Sequence, residues 1–480
     1  MDWLIRIPTQ STLKKMKLNK DQQHAFDAIL EAAASRQGQT LLLEGPAGTG
    51  KTAVMGAVLR EYIRRNPKAT NPNCNMWGVQ LPGKLCVAAM SHKAKGELAN
   101  SLARENITNH PVITCDQLLK ARPVVDPVTR EKVPHRQQLP LDSTYEFIVI
   151  DETSMLSQQY YDWLLEWKHD WQTIVFVGDR AQLPPVQDGK LAKVFTQCDQ
   201  ILNLSQVMRH QGCILSVCNT IRTYGKGCPS FSSAKDDKGE VVVFDSEDEF
   251  CQALYEEAAK DHNMKVVCHT NANVRKINDT IHKLRNPGVD APFVRDEHVM
   301  SARAIETPDQ EHPVVPSSMD MQIVDCVAVS LDLGMAQAEH LLGMSALQAL
   351  LGSDGAVDVY RCHKVQAIYE GNIVEFFVSD HHKGEQKRYE ATQSLLKEIA
   401  DDRTKHNATR QALNRYINWR EKHFASVHLS TGMTIHKSQG SSFLNVWVYP
   451  DIPKRNSEAT TKLAYVACSR ATKRLTLCNV

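Results

Sequence analysis

The sequence predicts an α/β protein built on doubly wound parallel sheets, and three observations carry the prediction. Short apolar runs bounded by turn residues, "TLLLEG", "KLCVAAM", "FIVID" and "TIVFVGD", alternate with helical stretches through roughly residues 40–180. A glycine-rich segment lies between the first of these strands and a helix. A second strand and helix series opens at "VVVFD" and "MKVVCHT", the latter followed by the amphipathic "NVRKINDTIHKLR", and resumes at "VWVYP" and "RLTLCNV". Two such series within 480 residues predict two α/β domains, each large enough for its own core.

The first strand and helix flank "LLLEGPAGTGKTAVMGAV", which begins at Leu41. The leucines read as the end of a buried strand, and Ala53, Val54, Ala57, Val58 and Tyr62 recur at helical spacing. Between them Gly45, Pro46, Ala47, Gly48, Thr49, Gly50, Lys51 and Thr52 satisfy G-x-x-x-x-G-K-[ST]. In that pattern glycines let successive backbone N–H groups point at phosphate oxygens, helped by the positive end of the following helix. Lys51 then reaches the β- and γ-phosphates, and Thr52 is a ligand for Mg²⁺.

A phosphate loop also needs a carboxylate for the metal, and "YEFIVIDETSML" supplies it. Residues 147–150 are continuously apolar, as in a parallel strand buried on both faces, and Asp151 and Glu152 emerge at its C-terminal end, where open α/β sheets bind ligands. Asp151 suits Mg²⁺; Glu152 suits the base that orients an attacking water. ATP with Mg²⁺ is the expected cofactor pair. The next strand, in "TIVFVGDRAQLPPV", ends at Gly178 and Asp179. It sets Gln182 to sense the γ-phosphate and makes Leu183, Pro184 and Pro185 a stiff ledge.

Two segments break the alternation. "RPVVDPVTREKVPHRQQLPLD" (residues 122–142) is too rich in proline and charge for a core element and reads as a protruding hairpin. After "RNPGVDAPFVRDEHVM" the pattern turns β-rich ("DMQIVDCVAVS", "VQAIYEGNIVEFFVS") with one charged helical stretch, "RQALNRYINWREKHF", and reads as an insertion with its own small barrel. Trp419 in that stretch reads as core and not as a base-stacking residue. The expected organisation is a first domain of residues 1–121 and 142–198 with the hairpin at 122–141, then a second of 199–290 and 427–480 with the insertion at 291–426.

The 56 Lys and Arg nearly balance 55 Asp and Glu, so a polyanion would be bound by a local groove and not by a global basic field. The 13 cysteines sit mostly in apolar runs without zinc spacing, and read as reduced core residues. "MDWLIRIPTQSTLKK" lacks a secretory apolar core, and no run reaches the length of a membrane span. A cytoplasmic protein with no membrane partner is expected.

The order of these motifs resembles superfamily 1 DNA helicases, from about Leu18 to the last residues. "LNKDQQHAF" is similar to the Q-motif region, with Asn19 as a helix cap and Gln22 at the adenine. "AAMSHKAK" is similar to motif Ia, which grips the DNA backbone through Ser91, His92, Lys93 and Lys95. "LNLSQVMRH" carries Arg209 at the motif IV arginine on the γ-phosphate. "TGMTIHKSQGSSF" resembles motif V, with Thr434, His436 and Lys437 toward DNA and Gly440 toward nucleotide. "YVACSRAT" resembles motif VI, with Arg470 as the arginine finger. "GDRAQLPPV", "TIHKSQG" and the two insertions are similar to the RecD-like branch, superfamily 1B. The resemblance implies two RecA-like P-loop domains, an SH3-like barrel in the second insertion, and 5′→3′ movement along single-stranded DNA. It implies single-stranded and fork DNA as partners of a functional monomer, with replication or single-strand-binding proteins as further company, in the cytoplasm of a bacterial host if a phage encodes it. Pro184 and Pro185 would border the strand. The hairpin is expected to act as a pin on DNA, with Val133, Pro134 and His135 near its tip in place of the usual aromatic, working sterically or by stacking of the His135 imidazole, the steric reading being favoured. Three alternatives stay open: a translocase that strips bound proteins, an RNA-directed relative, and a nucleotide-gated scaffold.

Overall fold

The computed structural model describes residues 18–66, 73–74, 80–81, 84–104, 107, 110–125, 132–136, 139–185, 189–206, 212–305, 314–332, 359–379, 423–455 and 457–479. Six parallel strands form the first sheet, in the order Gln200–Asn203, Thr40–Glu44, Thr173–Gly178, Phe147–Asp151, Leu85–Ala89, Val112–Thr114. The four between the edges are buried residue after residue, apart from Asp151 at a strand end, as their unbroken apolar sequences require. The sheet's two faces are covered separately. One carries the helices Lys20–Ser35, Lys51–Arg65 and His92–Arg104 over Leu41, Leu43, Val87, Val149 and Val175. The other packs Leu42, Ile148, Ile150 and Phe176 against Tyr161, Leu164 and Phe195.

The second sheet repeats this build in the order Ala234–Lys235, Glu240–Phe244, Ala471–Cys478, Phe443–Val448, Lys265–Cys268, Gly432–Thr434. Only its Ala234–Lys235 edge, among the described residues, runs antiparallel. The helix Asn271–Arg285 is capped by Thr270, whose hydroxyl accepts from Asn273 N at 3.3 Å, and buries Val274, Ile277 and Ile281 at helical spacing.

Four strands of the span read as the second insertion, joined by Val427–Leu429 from just beyond it, pair antiparallel in the order Asn372–Ser379, Val359–Tyr369, Asp320–Asp332, His298–Ser301, Val427–Leu429. They share a core that includes Val299, Ile323, Val365, Val374 and Phe376. Residues 410–422 of the charged helical stretch, Trp419 among them, lie outside the described residues, and so does Arg209.

Three expectations need correction. The strand Gln200–Asn203, read as the start of the second domain, instead closes the edge of the first sheet, pairing Leu42 with Ile201 and Leu43 with Leu202. Its short, half-polar sequence suits an edge strand, a role that apolar patterning does not assign to one sheet or another. Val427–Leu429 likewise pairs with His298–Ser301 and not with the second parallel sheet. The hairpin Ala121–Val125 with Lys132–Arg136 forms, but its register pairs Arg122 with His135 and Pro123 with Pro134. His135 therefore stands near the hairpin's base and Pro134 midway along the return strand, while Val133 pairs with Val124 one step from the last pair.

Twelve of the cysteines, from Cys86 to Cys478, are free thiols, and no described helix is long and apolar enough to cross a membrane.

Candidate nucleotide cleft and nucleic-acid interface

Three neighbouring strands of the first sheet end together, so that the phosphate loop, Asp179 and Asp151 share one edge. The loop turns into its helix through Gly50, at φ +84°, where an added Cβ would stand 2.7 Å from Gln22 Nε2. Gln22 props the loop: it is buried and its amide donates to Thr49 O at 2.9 Å, while its Oε1 accepts from Asn19 N at 3.1 Å. Asn19 caps the helix as expected, accepting from Gln22 N at 2.8 Å. Both ends of the Gln22 amide are thus engaged by protein, which holds the side chain against the phosphate loop.

Lys51 folds back on the loop, donating to Gly45 O at 2.7 Å and Pro46 O at 3.1 Å. Burial pulls its pKa down, against the opposing pull of Asp179, Glu152 and Asp151. Burial raises the pKa of Asp151, whose Oδ1 accepts from Glu152 N at 2.8 Å. Glu152 sits at φ +55°, a conformation costly for a residue with a side chain and characteristic of functional turns. Its pKa is pushed up to about 7, first by burial and then by Asp151, with Arg470 and Lys51 pulling the other way. Thr52 opens the second residue of the loop's helix and is exposed.

The second sheet's lobe reaches this edge directly. Tyr465, buried in the helix Glu458–Cys468, accepts a hydrogen bond from the loop amide of Ala47 at 3.0 Å and donates to Asp179 Oδ2 at 2.7 Å. The fully buried Asp179 also accepts from Ala181 N at 3.0 Å and from Arg222 Nη1 at 2.7 Å. Arg222 projects from the helix Cys213–Tyr224, its guanidinium 5.8 Å from the Tyr465 ring centre. Gln439 bridges the lobes a second time, donating to Ser154 Oγ at 3.0 Å and Gln182 Oε1 at 3.1 Å. Leu183 of the expected ledge is buried among second-lobe residues including Val217, Met433 and Tyr465. Pro185 is buried and Pro184 half-buried beside it. Gly440, at φ +82°, stands against Glu152: a Cβ there would lie 3.7 Å from Glu152 Oε1.

Arg470 is buried within its own lobe. Its guanidinium donates to Val466 O at 3.0 Å, Ser441 O at 2.9 Å and Ser469 Oγ at 2.9 Å. Burial lowers its pKa, and Glu152 heads the groups that oppose the shift. Sequence reasoning missed Asp179, Arg222, Tyr465 and Gln439 as cleft residues. Asp179 carried the same signal as Asp151, a carboxylate ending a buried strand, and Tyr465 and Gln439 lie inside quoted motifs. Nothing in the local sequence marks Arg222.

The expected nucleic-acid residues divide. Ser91 is exposed and its hydroxyl caps the helix His92–Arg104 by accepting from Ala94 N at 3.1 Å. His92 and Lys95 follow on that helix, half-buried, with burial lowering the His92 pKa. Lys93 lies 3.5 Å from Asp320 of the five-stranded sheet. Thr434 is buried and caps the short helix Ile435–Ser438 by accepting from Lys437 N at 3.2 Å. His436 and Lys437 are half-buried, and burial lowers the pKa of both. His135 is exposed, and next to it Arg136 anchors the hairpin, donating to Leu119 O at 2.8 Å with its guanidinium 4.9 Å from the Trp167 ring centre.

A phosphate loop closed by a second parallel-sheet lobe defines a two-lobed RecA-like P-loop protein. An AAA domain family matches residues 17–224, and the UvrD-like helicase C-terminal domain matches residues 429–478. The chain is similar to the ATP-dependent DNA helicase dda of Enterobacteria phage T4, 24% identical over 286 residues, covering 55% of this chain and 57% of that one. It is also similar to the RecBCD enzyme subunit RecD of Mycolicibacterium smegmatis, 30% identical over 166 residues, covering 32% and 27%. A solved structure of two coordinating Pif1 helicases unwinding forked double-stranded DNA aligns over 96% of this chain and 92% of that one, at 16% identity and a TM-score of 0.48. The chain therefore spans little more than half of the phage protein and about a quarter of RecD. Its likeness is to helicase superfamily 1B, on the RecD-like side.

Proposed function

We propose that the chain is an ATP-dependent DNA helicase that moves 5′→3′ along single-stranded DNA and separates the duplex ahead of it. The observation that carries this reading is the direct contact of the second lobe with the phosphate loop, through Tyr465 on Ala47 N and on Asp179. A loop touched by both lobes makes nucleotide occupancy and lobe position one equilibrium, the requirement for a motor driven by differential contacts in two states.

The chemistry assigns roles to residues already at the edge. Thr52 and Asp151 are the residues for Mg²⁺. Asp151 ends its strand beside the phosphate loop, and its carboxylate with the Thr52 hydroxyl offers the hard oxygen donors that Mg²⁺ would take alongside nucleotide phosphates. No cluster of three or more His, Cys, Asp or Glu among the described residues holds a metal unaided, so the ion belongs with nucleotide phosphates. Mg²⁺ supplies charge neutralisation at the transferring phosphoryl group. Lys51 leaves its loop carbonyls for phosphate oxygens, and Glu152, with its pKa near neutrality, accepts a proton from the attacking water. Arg470 and Arg209 are the arginine pair across the cleft; a finger of this kind is worth about 10³–10⁵ in rate. Gln182, tied to Gln439 of the other lobe, couples the γ-phosphate to the interface.

On the DNA side, Ser91, His92, Lys93 and Lys95 of one lobe and Thr434, His436 and Lys437 of the other form alternating backbone grips, with Pro184 and Pro185 between. The segments 1–121 with 142–198, and 199–290 with 427–480, serve as the two motor domains, adjusted at the edge strands described above. The hairpin is a steric pin against base pairs whose stacking averages about 1.4 kcal/mol per step. Steady-state ATPase with poly(dT), poly(U) or no polymer tests the reading. It expects strong stimulation by DNA; an unstimulated rate favours a scaffold, and preference for RNA an RNA-directed enzyme.

A further inference from the structure

Three lysines from both lobes meet where the first lobe, the second lobe and the five-stranded sheet adjoin. Lys93 comes from the start of the helix His92–Arg104, Lys265 from the start of the strand Lys265–Cys268, and Lys437 from the short helix after Gly432–Thr434. The ammonium groups of Lys93 and Lys265 stand 5.6 and 5.9 Å from the centre of one ring, Phe443. Lys437 is near enough that, after burial, repulsion from Lys93 helps lower its pKa. Lys265 is pulled down to about 8, first by burial, with Lys93 and Arg285 adding and Asp320 opposing.

Gathering three like charges in a half-buried place is unfavourable unless an anion arrives. Lys93 shows the need most plainly. Its Nζ is buried and donates no hydrogen bond, and its carboxylate neighbour, Asp320 Oδ2, lies 3.5 Å away on a side chain 43% exposed. Lys265 Nζ, by contrast, already donates to Ser430 O at 2.6 Å and Ser430 Oγ at 2.9 Å, which fixes it in place. A carboxylate at 3.5 Å on a partly exposed side chain satisfies charge without satisfying donors. A phosphodiester, whose oxygens offer more acceptors, satisfies both.

We propose that Lys265 completes, with Lys93 and Lys437, a phosphate-binding node shared by the two lobes, and that Asp320 stands in for the nucleic-acid phosphate in the free protein and is displaced when a strand enters. This rests on the helicase reading and adds to it a residue and a built-in competitor. Asp320 acts as a threshold: only a polyanion that gains several contacts at once outcompetes it, whereas a single free phosphate does not.

The test is binding of a fluorescent dT oligonucleotide to the full chain, measured across salt concentrations. Asp320→Asn is expected to tighten binding about two- to fivefold, the scale of one partly exposed ion pair. Lys265→Met is expected to weaken it and to flatten the plot of log affinity against log salt by about 0.7, one single-strand phosphate contact. In a Lys93→Met background the gain from Asp320→Asn should vanish. Unchanged or weaker binding by Asp320→Asn, with the wild type binding normally, overturns the inference. Asp320 is half-exposed, so that variant decides the matter even if Lys265→Met misfolds. A wild type that binds no single-stranded DNA instead overturns the helicase reading and this inference with it.

Discussion

Replacing Glu152 by Gln isolates the group proposed as the base for hydrolysis. Its carboxyl, moved from an ordinary 4.5 to about 7 by burial and Asp151, is about one-tenth ionised at pH 6 and about nine-tenths ionised at pH 8. Since kcat/KM for ATP follows the free enzyme's base, it should rise roughly tenfold between those values and then level. Gln cannot take the proton, so Glu152→Gln should lower kcat about 10²–10⁴-fold at pH 8 and erase the slope. Stability should move oppositely. A raised carboxyl pKa favours the folded state fully below 4.5, and that contribution is lost as pH rises through about 7. The full shift corresponds to about 3 kcal/mol, trimmed by partial solvent screening to about 1–3 kcal/mol. Glu152→Gln should thus melt higher than wild type at pH 8 and close to it at pH 5. The assays are DNA-stimulated ATPase against pH and thermal melting at two pH values. A flat kcat/KM from pH 6 to 8 in the wild type, or near-normal turnover by Glu152→Gln, would refute the assignment.

Lys51→Ala should abolish ATP turnover yet leave oligonucleotide binding within about twofold, since its amine faces loop carbonyls and not the lysine node; ATPase and fluorescence anisotropy check both halves. Arg470→Lys keeps a charge but loses the fork that reaches Val466, Ser441 and Ser469, so kcat should fall about 10³-fold or more with nucleotide still bound, read by turnover and nucleotide binding. Tyr465→Phe removes the cross-lobe hydroxyl. It should cost about 1–3 kcal/mol of cleft coupling, seen as weaker DNA stimulation of ATPase rather than lost basal rate. Arg136→Ala frees the hairpin base from Leu119 O and Trp167 and should reduce duplex unwinding while sparing ATPase on single strands.

How far the sequence reached depended on how local each signal was. The phosphate loop, the Asp151 and Glu152 pair and the buried strands were legible because each combines a backbone requirement with a short run of residues, as at Gly50 or residues 147–150. Gln200–Asn203 was misassigned because its pairing with Thr40–Glu44 is a long-range choice that four half-polar residues do not encode. Arg222 was invisible for a similar reason. Its meaning comes from Asp179, 43 residues earlier in sequence and in the other lobe, and nothing beside it in the chain announces that partner. His135 and Pro134 were sited near the hairpin tip because proline-rich sequence signals a turn without its register, which the pairing of Ala121 with Arg136 instead sets. Lys93 was legible as a cation but not as a neighbour of Asp320, some two hundred residues away.

In the proposed function, ATP bound between the lobes is converted into directed motion on one strand. Strand separation of duplexes carrying a single-stranded tail at one end only measures this in one experiment. Unwinding of the 5′-tailed duplex, dependent on ATP and lost in Lys51→Ala, is the expected result. Unwinding from the 3′ tail alone, or separation that proceeds without ATP, would contradict it.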